Sequence, residues 1–134
     1  MELSVNYLAV LVAAIVNYII ATIWYAAIFR KTWQKLTGIA DMQPSPVNII
    51  LTFIGSLVLS YVLYHSIAFG NAYFKMSGIA GGLMGGFFGW LGYIAPVTLT
   101  TKLYEKKPWG LWLLDNAFWL ISLLIMGIIL SSWM

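Results

Sequence analysis

Cysteine is absent from the 134 residues, histidine occurs once, and Asp and Glu together occur only four times. Without cysteine there is no disulfide, no thiol nucleophile and no thiolate metal site, and the redox compartment is left undetermined. A single histidine, His65, cannot build a histidine-rich metal site within one chain. Neither an HExxH metal motif nor a GxSxG nucleophile elbow is present. Ser56 and Ser60 have no candidate base except His65, more than a helical turn from either. The expectation is a protein that is not an enzyme and uses no cofactor or metal. Charge is also scarce: 8% of residues carry it, against about 25% in a soluble domain. So few charges cannot coat a water-soluble globule, so the chain must meet lipid.

What fills the sequence instead is apolar: 62% of residues are hydrophobic and the mean hydropathy is +0.90. About 20 apolar residues suffice to cross a bilayer core as a helix. Four runs meet that length, at about residues 3–29, 47–69, 76–100 and 109–133. They predict an all-α, polytopic membrane protein with four transmembrane helices in an antiparallel bundle, one membrane domain over residues 1–134. The first run carries Glu2 and no Lys or Arg at its front, unlike a signal peptide.

The boundaries have local causes. After Phe29 the pattern Arg30-Lys31-Thr32-Trp33-Gln34-Lys35-Leu36 continues the first helix into the headgroup layer, with Gly38 as its stop. Residues 41–46 read as a polar turn, and Ser45 before Pro46 is a capping hydroxyl followed by a proline suited to the first helical position. Gly70-Asn71 reads as the end of the second span, which makes spans two and three antiparallel neighbours. Pro108 suits the opening of the last helix.

The third span is crowded with glycine. Gly81, Gly85 and Gly89 form one row at four-residue spacing, and Gly78, Gly82 and Gly86 form a second beside it. In water each would weaken a helix by about 0.8–1 kcal/mol relative to alanine. In lipid the helix is enforced by its own backbone hydrogen bonds, and missing side chains let another helix approach closely. This glycine face predicts a close contact, within the monomer or between subunits, and the other spans are expected to organise around it. A homo-oligomer is expected, because four small spans leave little room for a private pathway.

Six of the seven basic residues lie in two loops: Arg30, Lys31 and Lys35 after the first span, and Lys102, Lys106 and Lys107 after the third. Lys75 alone follows the second. The positive-inside rule then makes the first and third loops cytoplasmic and both termini external, in a cell membrane (the inner membrane, for a bacterium). The same residues can attract anionic lipid headgroups. They are few and explained by topology, so nucleic-acid binding is not expected.

Trp24-Tyr25, Phe29, Trp33 and Gly38 at one end, with Pro108, Asn116, Met126-Gly127 and Trp133 at the other, resemble the domain of unknown function 1761 family of small bacterial membrane proteins. The resemblance covers nearly the whole chain. It implies a four-span integral membrane protein and carries no activity with it.

Asp115 is the one charged residue well inside a span. An acid at the centre of a spanning helix costs about 2.5–3.5 kcal/mol on insertion scales, less near an end. It lies roughly two turns inside the helix start, level with Trp24-Tyr25, Thr52 and Tyr93 to Pro96. It reads either as a proton or cation site or substrate anchor, or as an interfacial acid paired with Lys102 or Lys106. Asn17 and Asn116 read as solute-contacting amides or as interhelical glue. Pro96 removes a backbone donor and frees the Gly92 carbonyl, predicting a kink or break. His65 reads as an interfacial, hydrogen-bonded histidine. The leading expectation is a small transport or channel-like protein with Asp115, Asn116, Asn17 and Pro96 around one polar site. The alternative is a non-transporting scaffold or lipid-binding packing module.

Overall fold

A computed structural model of the chain describes residues 4–40 and 45–134. Glu2 and most of the expected polar turn (residues 41–44) lie outside the described residues. Among these the structure is helical without strands: α1 (Tyr7–Thr22) with a π-helical turn (Ile23–Ile28), α2 (Arg30–Thr37), α3 (Pro46–Phe74), α4 (Gly78–Gly89), a second π-helical turn (Trp90–Ile94), α5 (Ala95–Tyr104) and α6 (Trp109–Ser132). Four continuous helical stretches, Tyr7–Ile28, Pro46–Phe74, Gly78–Tyr104 and Trp109–Ser132, are long and apolar enough to cross a membrane. Large apolar side chains such as Ile50, Leu51, Phe69, Ile79, Phe88 and Val97 lie on the outside, as they should where the surrounding solvent is lipid.

The helix ends follow their sequence signals, with two differences. Ser45 accepts a hydrogen bond from the Asn48 N–H at 3.1 Å, with Pro46 at the first helical position. Gly38 ends α2 in the left-handed region (φ 73°), where a Cβ would be strained. The first helix does not run straight into α2: Phe29 (φ −111°, ψ 23°) forms a joint between them. The second span does not end at Gly70-Asn71. It continues to Phe74 and closes on Lys75, itself left-handed at φ 55°. Asn71 is held inside the helix because its side-chain amide donates to Ser131 Oγ at 3.0 Å.

The spans form a closed ring in which α1 packs on α3, α3 on α4, α4 on α6 and α6 back on α1. The expected hub is displaced. The glycine-rich span is only 11% buried along its most apolar window, whereas α6 is 44% buried and also touches α2, α3 and α5. The α4–α6 seam is the most extensive, and glycine makes it so. A Cβ on Gly82 would run into the backbone carbonyl of Gly127, a Cβ on Gly127 would run into that of Gly82, and one on Gly86 would lie 2.5 Å from the Leu123 carbonyl oxygen. The other row faces α3 instead: Gly81 is covered by the Asn71 side chain and Gly85 by Ile67, while a Cβ on Gly89 would meet nothing within 4 Å among the described residues. Gly78 takes φ 61° and belongs to the turn. The glycine contacts are therefore made within one chain.

The buried apolar core, including Ala9, Ala13, Leu63, Ile67, Leu123, Met126 and Leu130, lies toward the end that carries the termini. Toward the basic loops the bundle loosens. No residue of α3 before Ser56 is buried, and none of α1 and its π-turn after Asn17.

Candidate functional site

The loosened half holds the acid. Asp115 is half-buried, and its Oδ1 accepts a hydrogen bond from the Tyr25 hydroxyl at 2.6 Å. Tyr25 lies in the π-turn, where Phe29 N–H reaches back five residues to the Trp24 carbonyl at 2.8 Å. Such single wide turns rotate the side chains around them and recur at functional sites. The Tyr25 ring rests edge-on against Phe118, with centroids 5.4 Å apart, so the phenol is held by packing as well as by its hydrogen bond. Asp115 makes no ion pair with Lys102 or Lys106 among the described residues. Lys102 instead sits over the Trp109 ring, 3.9 Å from its centroid, and the lysine of the loop that lines the same cavity is Lys107. Lys107 pairs with Glu105 at 3.1 Å, both about half exposed.

Asp115 and Asn116 share a cavity of about 120 Å³ with Thr98, Thr101, Lys102, Lys107 and Trp112. Asn116, 3% exposed, donates to Thr98 Oγ1 at 3.0 Å and to the Trp112 carbonyl at 2.9 Å, tying α6 to α5. Among the described residues the buried indole N–H of Trp112 has no partner, nor do those of Trp24 and Trp90.

Asn17 and Pro96 are not part of this cavity. Asn17 is buried about two turns closer to the termini side, where it donates to Ser56 Oγ at 2.8 Å and accepts from Ser122 Oγ at 2.5 Å. It therefore ties α1, α3 and α6 together, with both serines as buried as itself. Pro96 lies exposed on the outside of the third span. It does not break the helix, which continues to Tyr104: the preceding turn widens to π form and Ala95 N–H bonds to the Trp90 carbonyl. This wide turn relieves the clash of the proline ring with the carbonyl four residues back. His65 Nδ1 lies 3.0 Å from the Tyr61 carbonyl, among the rings of Tyr61, Tyr64 and Phe69.

The sequence did not pair Tyr25 with Asp115, Ser56 or Ser122 with Asn17, or Thr98 with Asn116, and it placed Lys107 only in a basic loop. Depth alone could have suggested Tyr25, which is level with Asp115. Its direction depends on the π-turn, which leaves no simple periodic signal. Among the described residues no group of three or more His, Asp or Glu gathers into a metal-ligand set.

The family model described as "Protein of unknown function (DUF1761)" matches residues 8–131, and the chain belongs to that family. No curated protein and no solved structure matches it.

Proposed function

We propose that this member of the family is a small membrane transport protein that takes up a proton or small cation at Asp115. The observation that carries the reading is the 2.6 Å bond from Tyr25 to a half-buried carboxylate inside a spanning helix. An intramembrane acid costs free energy wherever it is charged, and here it is oriented by a phenol and borders a cavity. Oδ1 is occupied by Tyr25, and the other oxygen has no protein hydrogen-bond partner among the described residues. That oxygen is the one available to a proton or cation arriving from the basic loops. Under the positive-inside rule these loops lie on the cytoplasmic side. Beyond Asp115, toward the termini, lie the buried side chains of Phe118, Leu123 and Met126, with the Asn17–Ser56–Ser122 layer as the next polar group. Transport then requires the termini half to open in turn. The same buried core favours the alternative of a lipid-binding packing module, which needs no opening.

The test is ion flux into proteoliposomes of purified protein, with an entrapped pH dye and an imposed potential. Asp115→Asn keeps an acceptor oxygen for Tyr25 and removes the charge, so the fold should persist while flux falls to the level of empty vesicles. Tyr25→Phe should leave a reduced flux. Wild-type flux from Asp115→Asn would overturn the assignment. No flux from the wild type would favour the packing module.

A further inference from the structure

We propose that the Asp115 cavity takes a zwitterion, with a primary ammonium on Asp115 and an acid group on Lys102 and Lys107. The inference rests on the reading that Asp115 is a binding carboxylate, and it names what binds there. Charges of both signs border one small cavity: Asp115 from α6, Lys102 from α5 and Lys107 from the loop between them. They stand at different depths. Asp115 is six residues inside α6, about 9 Å along the axis at a rise of roughly 1.5 Å per residue, whereas Lys107 lies before the helix start. The ammonium groups are therefore at the mouth and the carboxylate is deeper. A small cation on Asp115 leaves the two ammonium groups unanswered, and a simple anion is repelled by the carboxylate. A ligand carrying both charges satisfies both ends.

Each end has capacity left for a ligand. Asp115 spends one oxygen on Tyr25. Lys107 is held by an exposed pair with Glu105, a kind of contact that is weak and readily exchanged. Lys102 presents one side of its ammonium to the Trp109 ring, leaving its other N–H donors for an anion. The walls favour a primary over a quaternary ammonium, because carboxylate and threonine oxygens reward N–H donors and the cavity has no aromatic cage, only Trp112. Two sources supply this chemistry: the headgroup of phosphatidylethanolamine, and a free amino acid or aminoalkyl phosphate.

The test is titration calorimetry of the purified full chain with ethanolamine phosphate, glycine, ethanolamine, inorganic phosphate and phosphocholine. The primary-ammonium zwitterions should bind at least about tenfold more tightly than the other three. Asp115→Asn and the surface variant Lys107→Gln should each weaken them by about tenfold or more. Native mass spectrometry from nanodiscs distinguishes the sources. Retained phosphatidylethanolamine displaced by ethanolamine phosphate assigns a lipid headgroup, and soluble binding without retained lipid assigns a free solute. Equal binding of ethanolamine and ethanolamine phosphate, binding of none of the probes together with no retained phosphatidylethanolamine, or retention of phosphatidylglycerol in preference to phosphatidylethanolamine overturns the zwitterion. None of these outcomes touches the flux measurement at Asp115. Conversely, zwitterion binding in a protein without flux overturns transport alone.

Discussion

Alanine at Gly82 adds one methyl group at the tightest point of the α4–α6 seam. Its Cβ would lie 2.5 Å from the Gly127 carbonyl carbon and 2.7 Å from the Ile128 nitrogen, against an ordinary contact distance of 3.4 Å or more. These are backbone atoms and cannot rotate away, so α6 must retreat by about 1 Å. A gap of that size forfeits roughly a quarter to a half of each dispersion contact along the seam, and overpacking of this kind costs about 1–3 kcal/mol. The gain in helix propensity, up to about 1 kcal/mol, offsets part of it. Gly85→Ala would meet Ile67 Cγ1 at 2.6 Å, a side chain that can shift, and should cost less. Gly89→Ala meets nothing within 4 Å and should be neutral or slightly stabilising. Unfolding in mixed micelles, followed by circular dichroism, should therefore rank the three variants in that order. Gly82→Ala should fall about 2 kcal/mol below Gly89→Ala, roughly a 30-fold difference in the folding equilibrium. Equal stability of the two within about 0.5 kcal/mol, the usual scatter of inconsequential substitutions, would refute the close seam.

Two further outcomes follow from the same structure. Asn17→Leu removes the shared partner of Ser56 and Ser122 and should destabilise the bundle by about 1–2 kcal/mol in the same assay. The cost is modest because freed hydroxyls find backbone carbonyls within their own helices, and an unchanged midpoint would contradict the network. The natural absence of cysteine allows single-cysteine labelling with a membrane-impermeant maleimide. Lys75→Cys should react in intact cells, and Lys35→Cys and Lys106→Cys only after permeabilisation. The reverse pattern would invert the proposed orientation.

Reading Asp115 from sequence was straightforward, because one acid in an apolar run is conspicuous at any rotation of the helix. Reading its partner was not. Lys102 and Lys106 were near in sequence and opposite in charge, yet Tyr25, 90 residues away, holds the carboxylate. Asn116 lines the Asp115 cavity while Asn17 and Pro96 do not, for a related reason. Counting residues gives depth along a helix, and Asn17 differs from Asp115 in depth and Pro96 in the direction it faces. Pro96 was legible as a disturbance, but whether a helix answers it with a break or a widened turn depends on the packing of the turn before it.

By itself the sequence determined the four spans, their all-helical form and most of their ends. These are local consequences: an apolar run in lipid must satisfy its backbone within its own helix, and Ser45-Pro46, Gly38 and Pro108 act on the turns beside them. Tertiary structure alone decided the rest. It made α6 the central helix, turned Gly82 rather than Gly89 toward Gly127, and separated the buried Asn17 layer from the Asp115 cavity. The physical reason is rotational. Depth along a helix follows from a fixed rise per residue, whereas the face a helix turns inward depends on every neighbour it packs against and on the π-turns that reset it part-way along.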